Sequence, residues 1–176
     1  MKAWVALLRS VNVGGSGKLG MSDLRDMCAD CGFVSVRTHI ASGNVVLASA
    51  LDETTIKHML EERLAAHVGR HIAVLVRDAA EMAAVLAANH FPEANPSQTV
   101  AFFLDEAPAA DTIEKASGRT DERIALGRRE IYVDYPSGQG RSKLSLAASK
   151  HGTARNMNTV AKMAQLAAEL EIELRG

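Results

Sequence analysis

The order of the apolar runs between residues 3 and 76 constrains the fold more than any other feature of the sequence. The runs alternate between strand-like and helical spacing, and the strand-like runs on either side of Ala41-Ser42-Gly43 indicate a hairpin. Strand, helix, strand, strand, helix and strand are predicted in turn over residues 3–8, 22–32, 33–40, 44–47, 54–68 and 72–76. This β-α-β-β-α-β order predicts the ferredoxin-like arrangement, with the first and third strands as antiparallel neighbours.

A connecting helix and a chain break follow this first unit. Asp78 and Glu81 stand at the spacing of a capping box, so we expect a helix to begin there. Residues 90–96 contain two prolines and interrupt regular structure, which makes them the predicted domain boundary.

The remainder of the chain repeats part of the first order. A strand, a short helix, a hairpin and a long helix are predicted at residues 99–104, from Pro108, at 122–135 and at 157–170. We therefore predict an α+β fold with two ferredoxin-like halves, residues 1–90 and 91–176. The second half is degenerate and ends in a C-terminal helical segment.

Composition limits the classes of function. The chain has 176 residues, 47% of them hydrophobic, and a net charge of −1, so any nucleic-acid binding has to come from local clusters of charge. No apolar stretch approaches the roughly 18 residues of a membrane span, and we expect a soluble cytoplasmic protein without a membrane partner. Cys28 and Cys31 lack a second pair of ligands for zinc, and their place on an apolar helical face predicts buried structural thiols.

A glycine-rich segment between the first strand and the first helix invites comparison with phosphate loops. It fails the Walker pattern, because Asn12 stands at the first glycine position and Leu19 follows Lys18. Gly15, Gly17 and Gly20 satisfy the dinucleotide fingerprint, but the predicted antiparallel hairpin is not the parallel unit which that fingerprint requires. The segment is therefore interpreted as a basic loop with many backbone amides, which suits an anion. No Asp or Glu occurs from residue 1 to residue 22.

The predicted topology gives this loop a neighbour. Since the first and third strands are adjacent and antiparallel, the end of the first strand meets the turn that feeds the third. We expect this end of the sheet to collect Arg9, Asn12, Gly14, Gly15, Lys18, Ser42, Gly43 and Asn44.

A second basic region lies near the C-terminus, where residues 135–168 contain five Lys or Arg and no Asp or Glu. Two clusters of hydrogen-bond donors stand out in it, each next to a predicted helix start, where amides and the helix dipole favour anions. The candidates are Gly138, Arg141, Ser142, Lys143, Thr153, Arg155, Asn156, Asn158 and Thr159. The alternative is structural, because Thr and Asn are common N-caps and Gly-rich turns connect strands.

Catalytic patterns are weak by comparison. The six histidines show no metal-ligand spacing, so no metal site is predicted, and the sequence does not identify a cofactor. His151 is the one histidine inside the basic region. Asp134 is the carboxylate that directly precedes the basic region.

Three stretches carry a family resemblance: "LLRSVNVGGSGKLGMSDLRDMCADCGFVSVRTHIASGNVVL", "YVDYPSGQGRSKL" and "GTARNMNTVAKMAQLA". With them the chain resembles the bacterial family called domain of unknown function 1697. The resemblance implies a small cytosolic α+β protein with ferredoxin-like halves and no established reaction. All the candidates above except Lys18 and Arg141 stand at positions that match the family pattern, and Leu144 is a further matching position. The chain departs from the family at Met157, where an aromatic residue usually stands between the two asparagines.

The leading functional hypothesis is a module that binds a phosphate-bearing ligand, either a nucleotide or a nucleic-acid backbone, where the opening loop and the two C-terminal donor clusters meet. RNA binding through stacked bases on the sheet is disfavoured, because only 4% of the residues are aromatic. One alternative is an enzyme of phosphoryl or nucleotidyl transfer, for which Asp134 is the candidate carboxylate. The other is a structural or protein-interaction protein that has no small ligand.

Overall fold

The computed structural model describes residues 1–10 and 19–176 and has a mixed α+β fold. The contacts group the chain into two units, residues 1–82 with 163–176, and residues 83–162. The strands and helices are β1 (Lys2–Leu8), α1 (Met21–Asp30), β2 (Val34–His39), β3 (Asn44–Ser49), α2 (Glu53–Val68), β4 (Val74–Asp78), α3 (Ala79–Ala87), β5 (Thr99–Phe103), β6 (Arg123–Leu126), β7 (Glu130–Asp134), β8 (Thr153–Asn156) and α4 (Met157–Arg175). Two short 3-10 helices span Gln139–Arg141 and Ala147–His151.

The first unit contains a four-stranded antiparallel sheet in the order β2-β3-β1-β4. Trp4, Ala6 and Leu8 of β1 pack with residues of α1 and α2 in one apolar core. The alternate residues Ala3 and Val5 are equally buried on the other face. A strand that is buried on both faces needs apolar residues throughout, and this explains the continuous apolar run of β1.

The second unit contains another four-stranded antiparallel sheet, in the order β6-β7-β5-β8. The relative order of its strands is the same as in the first sheet, and its core includes Val100, Ile131, Val133 and Leu146. The predicted α+β class, with a β-α-β-β-α-β first half and a less complete second half, is confirmed. A domain boundary at residues 90–96, in the sense of independent folding, stays a prediction.

Two predictions for the second half were wrong. No helix begins at Pro108; residues 110–115 form turns instead, and the Thr112 hydroxyl donates to the Ala109 carbonyl at 2.6 Å. Such a side-chain bond competes with the helical pattern of the backbone. The strand β8 was missed, because its sequence Thr-Ala-Arg-Asn shows too few apolar residues for a strand pattern, although it pairs with β5.

Helix ends follow local capping chemistry, with one correction. The first helix was predicted over residues 22–32, but α1 begins at Met21 and Gly20 is its N-cap. Asp52 caps α2 by accepting from the Thr55 N–H at 2.9 Å. The predicted capping box of α3 is confirmed by two reciprocal bonds between Asp78 and Glu81, at 3.0 and 2.9 Å.

The outer strand β2 contains a bulge. Its register against β3 shifts between Val34 and Arg37, and Ser35 between them has a positive φ of 52°. Val34 itself is 45% exposed. The strand is therefore interrupted close to its start.

Both cysteines are free thiols on α1 or directly after it. Cys28 is buried, and burial raises the pKa of its thiol to about 12. Cys31 is partly buried, and burial raises its pKa as well. Both thiols are therefore protonated at neutral pH. The predicted burial is confirmed for Cys28, whereas Cys31 is only partly buried. None of the helices in the described ranges has the length and apolarity needed to cross a membrane.

Candidate functional site

Three segments of the first unit meet where β1 ends. Leu7 pairs with Asn44, and the Leu8 N–H donates to the Gly43 carbonyl at 2.8 Å, which confirms the predicted approach of the β1 end to the hairpin turn. The Arg9 N–H donates to the Ala73 carbonyl at 2.9 Å and so brings in the segment before β4. We call residues 8–10, 39–44 and 69–73 together the β1-exit end.

The β1-exit end is basic. Its segments contain Arg9, His39, Arg70 and His71, and they contain no Asp or Glu. Arg70 donates from Nη2 to the Ser10 carbonyl at 3.2 Å and therefore reaches the end of β1. Sequence reasoning missed Arg70, although its position just before the strand next to β1 was a usable signal.

The hairpin turn at this end is held by its own polar groups. Asn44 is buried and donates from Nδ2 to the His39 carbonyl at 3.0 Å and to Ser42 Oγ at 2.9 Å. Gly43 has a φ of 80°, which a residue with a side chain adopts only at a cost. These two residues fix the turn, and Arg9 and Ser42 beside it are partly exposed.

The four remaining candidates of the opening loop, Asn12, Gly14, Gly15 and Lys18, lie outside the described residues. Past them, the first turn of α1 carries Asp23. Its carboxylate lies against Gly20, where a Cβ atom would be 2.8 Å from Asp23 Oδ2. Asp23 therefore offsets the positive charge at the N-terminus of α1.

The cluster Gly138 to Lys143 lacks acidic residues in sequence but not in space. The Ser142 hydroxyl donates to a carboxylate oxygen of Glu122, and the Ser137 hydroxyl donates to Asp121 Oδ2 at 2.6 Å. The bond from Ser142, with a further bond from the Thr120 N–H, lowers the pKa of Glu122 to about 2. This cluster is therefore tied to carboxylates, while Arg141 and Lys143 next to it are exposed.

Close backbone packing holds the same loop. Ser117 and Ser145 exchange two backbone hydrogen bonds, at 3.1 and 2.8 Å. Gly118 has a φ of 68°, and a Cβ atom there would be 2.1 Å from the Lys143 carbonyl oxygen. Residue 118 must be glycine for the loop to approach so closely.

Arg155 on β8 is only 8% exposed. Its Nη1 donates to Thr153 Oγ1 at 2.8 Å and to the Ala154 carbonyl at 2.9 Å. Removal from water lowers the pKa of its guanidinium to about 10, so it stays charged at neutral pH. These two bonds anchor the guanidinium to its own strand, β8.

The candidates at the start of α4 make structural contacts. Asn156 caps the helix, because its Oδ1 accepts from the Thr159 N–H at 3.0 Å. Asn158 Nδ2 donates to Ser97 Oγ at 3.1 Å. Met157 is 3% exposed, which supports a packing role for this position rather than the stacking of a ligand.

Asp134, the candidate carboxylate for an enzyme, is already paired. It is 4% exposed and accepts from Arg123 Nε at 3.0 Å and Nη2 at 2.8 Å. Arg123 also bonds to Glu93 and lies over the Phe91 ring, 4.6 Å from its centroid. Within the described ranges, no group of three or more His, Cys, Asp or Glu side chains is placed to hold a metal ion.

The model of one protein family, described as "Protein of unknown function (DUF1697)", matches residues 1–132. The chain belongs to this family. The DUF1697 match covers all of the β1-exit end and the first hairpin, and reaches into β7 of the second hairpin. No curated protein shows significant sequence similarity to the chain.

A solved structure supports the fold of this DUF1697 chain. It is that of a conserved bacterial protein from Streptococcus pneumoniae, SP0830, with a TM-score of 0.78 and 24% sequence identity. The similarity covers 94% of this chain and 98% of the pneumococcal chain. At this identity the likeness establishes the shared fold.

Proposed function

We propose that this DUF1697 protein binds a phosphate-bearing ligand at the β1-exit end. The observation that carries the proposal is the meeting of three segments whose sequences hold two arginines and two histidines and no acidic residue. A carboxylate does border them in space, because Glu61 Oε1 accepts from the Val74 N–H at 2.9 Å. Phosphate oxygens are bound most strongly by arginine and by backbone amides. Arg9 is the residue we assign to the phosphate, with Ser42 and Arg70 beside it.

The opening loop extends this charge in sequence. Residues 11–18 add a lysine, two asparagine or serine side chains and three glycines, and they connect directly to Ser10. Glycine-rich segments before a helix present many backbone amides, which suits a phosphate group. Asp23 at the start of α1 and Glu61, whose Oε1 accepts from the Val74 N–H at 2.9 Å, are carboxylates that work against an anion.

Thermal unfolding against ligands tests the proposal. The panel consists of ATP, GTP, NAD, inorganic phosphate, short RNA and short DNA at low salt. A ligand at about one hundred times its Kd adds roughly 2.7 kcal/mol of stability and raises Tm by several degrees. A steep loss of binding with added salt identifies a nucleic-acid backbone, while a small nucleotide shows a shallow dependence.

A variant at the proposed site and a control variant elsewhere test where the ligand binds. Arg9→Ala is expected to weaken binding by roughly 1.5–3 kcal/mol, the scale of a hydrogen bond to a charged group. Arg175→Ala removes the same charge near the opposite end of the first unit, where the Glu171 side chain accepts from the Ala3 N–H, and should bind as the wild type does. Asp23→Asn should bind more tightly, because it removes one of the opposing charges.

Other results reassign the function. Unchanged affinity in Arg9→Ala would move the ligand away from the β1-exit end, and Arg141→Ala and Lys143→Ala then test the exposed cations of the second unit. A panel without any shift, on a folded protein, would contradict ligand binding in favour of a protein-interaction role.

A further inference from the structure

The hairpin turn at the β1-exit end contains a residue in an unfavourable backbone conformation. Ile40, directly after β2, has a φ of 52°. This left-handed region is costly for a residue with a branched Cβ, and glycine, asparagine or aspartate normally occupies it. Gly43 in the same turn, with a φ of 80°, is the usual choice. Ile40 is therefore the exception that needs a physical reason.

Packing in the first unit offsets little of this cost. Ile40 is 53% exposed, so folding buries less than half of its surface. The turn is ordered by Asn44, which donates from Nδ2 to the His39 carbonyl at 3.0 Å and to Ser42 Oγ at 2.9 Å. Strained backbone conformations concentrate at ligand sites, so a strained residue with an exposed side chain points to binding rather than to folding.

Ile40 lies close to the positive charge of the β1-exit end. Leu7 pairs with Asn44 on β3, and Asn44 pairs in turn with His39 on β2. Since Arg9 and Ile40 continue the strands on either side of β3, their Cα atoms lie about two strand spacings apart, roughly 10 Å. A ligand that reaches both residues therefore carries its phosphate and its apolar part about one sugar ring apart.

A single apolar contact beside arginines and histidines narrows the class of ligand. Within residues 8–10, 39–44 and 69–73, Ile40 is the only large apolar side chain that is exposed, because Leu8 and Ile72 are buried. A lipid tail would need a larger apolar surface, and a sugar phosphate would gain nothing from this one. A nucleobase offers one flat apolar face, which suits contact with a single side chain.

We infer that Ile40 contacts the base of a nucleotide whose phosphate is bound by Arg9, so the ligand of the β1-exit end is a free nucleotide. The inference rests on the proposed function and adds the base contact to it. The base covers the exposed part of the Ile40 side chain, and this contact is the role of the strained residue.

Two probes separate the base contact from the phosphate contact. AMP carries a phosphate, a sugar and a base, whereas ribose 5-phosphate carries only the first two. Titrations followed in proton–nitrogen correlation spectra of the labelled protein give both dissociation constants. We expect AMP to bind about fivefold to tenfold more tightly than ribose 5-phosphate, the scale of burying roughly 50 Å² of apolar surface.

Variants of Ile40 test the same contact from the side of the protein. Ile40→Asn suits a positive φ and removes the apolar contact. It should raise Tm by roughly 2–4 °C while it weakens AMP binding about fivefold to tenfold and leaves the affinity for ribose 5-phosphate unchanged. The matched control Ile40→Val keeps the branched side chain, and should keep the wild-type Tm and an AMP affinity within about twofold of the wild type.

Arg9→Ala distinguishes failure of this inference from failure of the proposed function. Suppose that Arg9→Ala weakens the binding of both probes but Ile40→Asn binds AMP as the wild type does. The base contact is then overturned, and the phosphate site stands. Equal affinity of the wild type for the two probes has the same meaning.

Three further results would overturn the inference. A lower Tm for Ile40→Asn would contradict the strain at this residue. Tighter binding of double-stranded DNA, whose bases are stacked inside, than of AMP would contradict a free nucleotide as the ligand. Absence of binding of either probe to the folded wild type would overturn the proposed function and the base contact together.

Discussion

Arg77 and Arg155 occupy equivalent positions in the two sheets. Each is buried on the fourth strand of its own unit, and each donates from Nη1 to the carbonyl of the preceding residue at 2.9 Å. Arg77 pairs with Val5 on β1, and Arg155 pairs with Ala101 on β5. The register of the two sheets is therefore the same around both arginines.

The correspondence continues into the helices that follow. Asp78 and Asn156 come next in sequence, and each side chain accepts from the N–H three residues later, at 2.9 and 3.0 Å. A strand that ends in a buried arginine and a helix that begins with a capping side chain therefore recur in both units. This supports a duplicated unit, in line with the repeated order of strands and helices in the sequence.

Replacement of Arg155 should lower stability whether or not a ligand exists. Arg155→Ala removes two charge-assisted hydrogen bonds from a buried site, and we expect a loss of roughly 1.5–3 kcal/mol in the free energy of unfolding. Arg141→Ala, an exposed position, should stay within about 0.5 kcal/mol of the wild type. Urea unfolding measures both, and equal stability of Arg155→Ala and wild type would contradict the buried network.

The cap of α4 gives a second prediction. Asn156→Ala should cost about 1 kcal/mol of stability, because the Thr159 N–H loses its acceptor. Asn156→Asp keeps the acceptor and should retain most of the stability. Urea unfolding of the pair separates the capping role from a ligand role, since a residue that only binds ligand would leave stability unchanged in both variants.

The low pKa of Glu122 predicts that the protein loses stability as the pH falls below about 4.5. Its pKa is about 2 in the folded protein, below its ordinary value of 4.5, so the unfolded chain takes up the proton first as pH falls. The stabilisation is present above about pH 4.5 and disappears as the pH falls toward 2. Urea midpoints across this window should fall more steeply for the wild type than for Glu122→Gln. Ser142→Ala should also flatten the curve, and parallel curves for all three proteins would rule out this linkage.

Gly118 tests the close approach of two loops. Gly118→Ala must tolerate both a φ of 68° and a carbonyl oxygen at 2.1 Å, and we expect a loss of roughly 2–4 kcal/mol. The control is Gly69→Ala at the end of α2, where φ is 79° but nothing lies within 4 Å of the new methyl group. That variant should lose only about 1 kcal/mol. Similar losses in thermal or urea unfolding would show that the contact with Lys143 relaxes easily.

Regular periodicity made the first unit predictable. Its strands and helices appear in the predicted order, because apolar residues recur at the matching period and Gly32 and Gly69 end the helices with φ values of 79°. The second unit was harder, because β8 has only four residues and relies on pairing with β5. Pairing of that kind is a tertiary effect that local pattern does not contain.

Only the part of the candidate site that follows from the strand order could be predicted from the sequence. The approach of Arg9 to the hairpin turn followed from the strand order, whereas Arg70 was missed because it is 60 residues from Ser10 in sequence. The region around Ser142 looked cationic in sequence, but its hydroxyl is bonded to Glu122, 20 residues earlier. Charge read along a chain omits the residues that folding brings alongside it.

The bulge of β2 has a consequence for encounters between molecules. An outer strand can act as a template on which a strand of another chain adds and starts aggregation. The register shift between Val34 and Arg37 and the positive φ of Ser35 break the even spacing that such a template needs. The exposed Val34 lies at this break, so the most apolar part of the strand is also the part to which a second chain would pair least well.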